Sequence, residues 1–132
     1  EESCYVCRLP VHAVSKTVAY FEGHRTVFCC PACAASQHRQ SGRRVAVSEF
    51  TDYETGGRLR PGEAVLVEGS DVNPCTHGGT VMDAYKRAAG EQFDRCSPGL
   101  LAFSSEGAAA GFAARHGGRI LRFADIAARY GD

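Results

Sequence analysis

Seven cysteines in 132 residues are the chemistry-bearing feature of this chain. Five of them gather near the N-terminus. Cys4-Tyr-Val-Cys7 and Cys30-Pro-Ala-Cys33 are two CxxC pairs with 22 residues between them, and Cys29 adjoins Cys30. A CxxC turn lets two thiolates converge on one ion at about 2.3 Å from each sulfur, and two such turns complete a tetrahedron. That donor set is the one expected for a structural Zn(II) site. Cys29 offers a second spacing, Cys29-x3-Cys33. Adjacent residues of an extended chain point to opposite faces, so one of Cys29 and Cys30 should face the ion and the other should not. The sequence does not choose between them. Oxidation of the CxxC pairs to disulfides is the competing chemistry in an extracytoplasmic chain. A thioredoxin-type redox role fits less well, because neither pair follows the strand of a βαβ unit.

The second set is Cys75-Thr-His77 and Cys96. Two sulfurs and an imidazole suit a three-ligand site for Cu(I), with a position left open for transfer. The same residue types also admit a Cys75–Cys96 disulfide, closing a loop of ~20 residues and stabilising by about 3 kcal/mol in the chain-entropy account. Both readings stand at this level. His24 in a turn, His38 on a helix and His116 at a helix C-terminus read as surface residues, and His12 near the first CxxC is a weak candidate ligand.

Elements of two kinds must position these donors. Residues 17–22 (TVAYFE) and 25–29 (RTVFC) are β-branched and aromatic runs around Gly23-His24, which predicts a hairpin. Residues 32–40 predict a helix, with Pro31 in its first turn and Gly42 as its cap, and 43–50 predict a returning strand. The plan then repeats. Residues 64–68 (AVLVE) and 100–104 (LLAFS) predict strands, 106–116 a helix ending at Gly117-Gly118, and 119–123 (RILRF) a last strand. A shift of 75 places Phe28 on Phe103 and Gly42 on Gly117. The expected fold class is α+β, two tandem ββαβ units in one compact body. Their expected limits are 1–50 for the cysteine-rich treble-clef unit, 51–63 for a linker and 64–132 for the second unit, whose insertion at 70–99 holds Cys75, His77 and Cys96.

Composition removes several function classes. Fifteen basic residues against fifteen acidic ones, with a formal net charge of zero, leave no electrostatic footprint for nucleic acid or an anionic membrane surface. Hydrophobic residues at 44% suffice for a packed core, so the cysteines are not the only staples available. Apolar runs fall far short of the ~20 residues of a membrane helix, and no signal peptide is visible; a chain beginning at Glu1 is expected to be a processed or trimmed segment. No phosphate loop, GxSxG elbow or SxxK motif is present.

The segment CYVCRLPV…VFCCPACA, within residues 4–41, resembles TRASH/YHS-type treble clefs and the cysteine-rich cytosolic modules of copper-transporting ATPases. Those families are associated with heavy-metal handling. The runs AVLVEGSDV (64–72), PGLLAF (98–103) and FAARHGGRILRFADI (112–126) resemble the nitrous-oxide-reductase accessory proteins, NosL, which are copper chaperones. The resemblance implies two duplicated ββαβ units, an architecture shared with the organomercurial lyases. It also implies a copper(I) chaperone or metal-delivery module, a client metalloenzyme or transporter as partner, and a periplasmic or extracytoplasmic location. This sequence has CYVCRL where NosL proteins typically have CxxCGM, and its single methionine is Met82. Thiols thus stand in for a thioether, a set that suits Cu(I), Zn(II) or Hg(II). An organomercurial-lyase-like enzyme using Cys75, Cys96 and Asp94 is the enzymatic alternative, although the polar, glycine-rich stretch 73–79 is a poor lining for an organic group. A zinc-stapled scaffold for protein contacts is the structural one.

Overall fold

The computed structural model describes residues 3–6, 8, 10–72 and 99–132. Strands β1 (Thr17–Phe21) and β2 (His24–Phe28) form the expected hairpin. Its two-residue turn, Glu22-Gly23, has φ of +52° and +81°, the left-handed pair that matches the twist of antiparallel strands. Helix α1 (Pro31–Ser41) follows, with Pro31 in the first turn, where its missing N–H costs nothing, and Gly42 closing the last turn at φ +71°. Strand β3 (Val45–Thr51) returns to pair with β1, so the hairpin's first strand lies centrally.

The second unit repeats this order. Strands β5 (Val65–Glu68) and β6 (Leu100–Phe103) pair antiparallel, helix α2 (Glu106–His116) follows, and strand β7 (Arg119–Arg122) pairs with β5. The two sheets run β2-β1-β3, with a two-residue strand β4 (Arg58–Leu59) added on β3, and β6-β5-β7, the same arrangement about a central first strand. Both helices have 11 residues, and their starts stand 75 residues apart, so the duplication read from weak sequence identity is a duplication of topology. Ser105 caps α2, its hydroxyl accepting the Ala108 N–H at 3.1 Å.

Between the units, the stretch expected as a linker carries strand β4 (Arg58–Leu59), paired with β3, and a 3-10 turn at Pro61–Glu63. Asp52 forms a parallel bridge to Ala102, and the Tyr53 N–H donates to the Ala102 carbonyl at 2.8 Å. This backbone contact joins the two sheets. Phe123, expected to end the last strand, instead starts a short helix α3 (Phe123–Ile126), followed by a 3-10 turn at Ala127–Tyr130.

All four residues of β5 and of β6 are buried, and alternation sends them to two cores. Val65, Val67, Leu101 and Phe103 pack under α2 against Ala109 and Phe112. Leu66, Leu100 and Ala102 face the other way, into the cluster that holds Phe21, Phe28, Phe50, Ile126, Tyr130 and four cysteines. The second sheet is therefore the layer on which the cysteine-rich unit rests. Each buried Phe or Leu contributes roughly 1.5–3 kcal/mol over an exposed one. Among the described residues, no helix is long and apolar enough to cross a membrane.

Candidate metal centre

Three segments bring sulfur atoms together beneath α1. The first is the strap before the hairpin. Its Tyr5 N–H donates to the Val27 carbonyl at 2.8 Å, and the Arg8 N–H turns back to the Cys4 carbonyl at 2.9 Å. Arg8 takes φ +66° to close that turn, a conformation uncommon for a residue with a Cβ. The Tyr5 ring packs against Phe21 and Phe28, with centroids 5.9 and 6.1 Å away. Cys4 is thereby fixed against the hairpin.

The second segment is the exit from β2, where Ser15 donates its hydroxyl to the Cys29 carbonyl at 2.6 Å. The third is the first turn of α1, which carries Cys33. The sulfurs of Cys4, Cys29 and Cys33 all lie within 4.8 Å of one another, and all three residues are buried. Cys4 Sγ and Cys33 Sγ are 3.5 Å apart. Four sulfurs about 2.3 Å from a tetrahedral ion stand about 3.8 Å from each other, so this spacing suits one shared ion. Among the described residues it is the one place where three or more Cys, His, Asp or Glu donors converge.

Of Cys29 and Cys30, only Cys29 has its sulfur in this group. Cys30 is the N-cap of α1, with extended backbone at φ −160° and ψ 166°. Cys29 joins Cys4 and Cys33, while Cys30 Sγ lies 4.0 Å from Cys29 Sγ and outside the three-sulfur group. Cys30 is instead close enough to Tyr130 for a charge on its thiol to be felt by the phenol. Burial, reinforced by Cys30 and Glu68 and opposed by Arg129, pushes the Tyr130 hydroxyl far above its usual range. That hydroxyl donates to the Pro31 carbonyl at 2.9 Å, tying the C-terminal turn to the start of the cysteine helix.

Cys7, Cys75, His77 and Cys96, together with Asp94 and Met82, lie outside the described residues. The described histidines take no part in the sulfur group. His38 Nδ1 bonds the Arg43 carbonyl at 2.8 Å, while His116 Nδ1 meets the Asp71 carboxylate at 2.9 Å and its ring stacks on Phe112. His12 and His24 are exposed. Sequence reasoning missed Ser15 and Tyr130, which hold the site's backbone by hydrogen bonds to the Cys29 and Pro31 carbonyls that no local pattern announces.

Comparison with known proteins gives a consistent result. The NosL family model matches residues 1–130. The crystal structure of the copper chaperone NosL from Shewanella denitrificans is similar with a TM-score of 0.63 at 16% identity, over 95% of this chain and 89% of that chain; at that identity the likeness concerns the fold. A search of curated proteins finds no match.

Proposed function

This chain belongs to the NosL family, and on that premise we propose that it is an extracytoplasmic metal-binding protein that carries copper(I) to a client metalloenzyme or transporter. The convergence of three buried sulfurs, Cys4, Cys29 and Cys33, within 4.8 Å is the observation that carries the metal-binding part. Thiolates are soft donors that select Cu(I) and Zn(II) over hard cations. Cys7, three residues from Cys4 in the CxxC turn, supplies the fourth sulfur of a tetrahedral set. We assign this set to a resident Zn(II) ion, because its described ligands are buried sulfurs and a closed sulfur-only set is the usual form of a structural zinc site. The ion's role there is structural, since four protein sulfurs leave no open position.

The cargo site falls to the other donor set. Cys75, His77 and Cys96 offer two sulfurs and an imidazole, which leave a position open for a client's ligand. Copper(I) as cargo rests on the family and on the similar NosL copper chaperone. The burial of the three sulfurs also favours a second reading, a zinc-stapled scaffold without a cargo. Copper(I) titration under anaerobic conditions against a chromophoric Cu(I) chelator separates the two. The chaperone reading predicts chelator-resistant copper that is lost in Cys75→Ser/Cys96→Ser while zinc is retained. Unchanged copper binding in that double variant contradicts the assignment of the cargo site, and no copper binding by the unaltered chain contradicts the chaperone reading.

A further inference from the structure

We infer that Cys4 and Cys33 are a reversible disulfide pair, closed by exchange with a low-molecular-weight disulfide when no metal is bound. The inference rests on the reading that the three-sulfur group holds a metal, and it adds a modification that governs that group. Cys4 Sγ and Cys33 Sγ are in direct contact at 3.5 Å, 29 residues apart in sequence. A disulfide requires about 2.05 Å, so closure asks the N-terminal strap for a shift of little more than an ångström. The strap is held to the hairpin through the Tyr5 N–H, while Cys33 sits in the first turn of helix α1. The alternative partners are less well placed. Cys29 and Cys30 are adjacent in sequence, with sulfurs 4.0 Å apart, and a bridge between neighbouring residues closes a small strained ring.

The surroundings of Cys4 and Cys33 differ, which sets the order of events. Both residues are buried, but only Cys4 borders an open cavity of about 560 Å³, which Arg8, Glu22, His24 and Arg25 also line. Arg8 and Arg25 are cations of its lining, and the Glu22 carboxylate there is paired with Arg43 at 2.6 Å, a balance that suits a disulfide bearing carboxylates. The Cys4 thiolate attacks one sulfur of that disulfide, breaking its S–S bond and releasing one thiol as a mixed disulfide forms on Cys4. Cys33, after giving its proton to solvent, attacks the Cys4 sulfur and expels the second thiol. Two cysteine thiols are oxidised and one external disulfide is reduced to two thiols. A bound ion occupies the sulfur lone pairs that both attacks need, so metal protects and oxidation excludes metal.

Oxidised glutathione is the probe. Metal-free full-length protein treated with it should lose two hydrogens and yield a cross-link between tryptic peptides 1–8 and 26–39, with fragmentation placing the bridge on Cys4 and Cys33. The metal-loaded protein should react at least about tenfold more slowly, and Cys33→Ala should stop at a glutathione adduct on Cys4. A bridge within peptide 1–8, a bridge between Cys29 and Cys30, no oxidation, or equal rates with and without metal each overturn the inference. Because mapping uses the unaltered chain, failure of Cys33→Ala to fold leaves the test intact. Zinc binding without the cross-link defeats this inference alone, whereas the cross-link without any zinc binding defeats the metal reading alone.

Discussion

One backbone residue separates a thiol in the sulfur group from a thiol outside it. Cys29 and Cys30 are neighbours on extended chain, and only Cys29 shares the group with Cys4 and Cys33. The account therefore predicts that Cys29→Ser lowers affinity for a thiophilic ion by on the order of a hundredfold or more, whereas Cys30→Ser leaves it within a few-fold. Titrating metal-free protein with Co(II) and following its thiolate charge-transfer absorption measures both. Tyr130 carries the second prediction. Its hydroxyl is buried and bonded to the Pro31 carbonyl, so Tyr130→Phe should cost about 1–2 kcal/mol in urea denaturation at neutral pH. The folded phenol resists ionisation, while an unfolded tyrosine ionises near pH 10. Folded chains then hold the proton longer than unfolded ones, and the stability this gives is complete below about pH 10 and lost as pH rises beyond it. Tyr130→Phe should flatten that alkaline decline. Cys4 and Cys33 were legible because thiols at CxxC spacing have few uses. The partition of Cys29 from Cys30 was not, because it depends on where β2 ends and α1 begins.

At the scale of elements, turn chemistry and caps were readable since each depends on residues that favour one local geometry. The β1–β2 turn, the Gly42 cap and the matching lengths of α1 and α2 all follow from such signals. The strand β4 and helix α3 were not readable, because two residues and four residues are too short to show a period and are held by their neighbours. Two glycines test the packing that results. Gly118 has φ +99°, and an added Cβ would stand 2.8 Å from the Glu68 carbonyl oxygen and 2.8 Å from Val67 Cγ1. Gly118→Ala should therefore destabilise by about 1–3 kcal/mol. Gly111 lies within α2, where a Cβ would meet nothing nearer than Arg115 Nη1 at 3.6 Å. Gly111→Ala should instead stabilise by roughly 0.5–1 kcal/mol. Thermal melts of the two variants should move in opposite directions.

Across the described residues, Cys4, Cys29, Cys30 and Cys33 share one core cluster with Leu66, Leu100 and Ala102 of the second sheet. Asp52 and Tyr53 tie the sheets through the backbone, and Glu68 pairs with Arg119 and Arg129 to hold the C-terminal turn. Metal removal should thus weaken both units together. Calorimetry should show a single transition that falls on stripping the metal, by about 4 kcal/mol where free metal stood a thousandfold above its dissociation constant. Two separate transitions would contradict a shared core. The architecture was legible in the sequence as a 75-residue shift, yet the way one sheet is buried on both faces was only implicit in the uninterrupted apolar runs at 65–67 and 100–103.

The central claim is that Cys4, Cys29 and Cys33 hold one thiophilic ion, and zinc X-ray absorption on anaerobically purified protein tests it most directly. The account predicts one zinc per chain in a sulfur-only shell at about 2.3 Å, lost in Cys33→Ser and kept in Cys75→Ser/Cys96→Ser. A shell of nitrogen and oxygen donors, or zinc retained unchanged in Cys33→Ser, would contradict it.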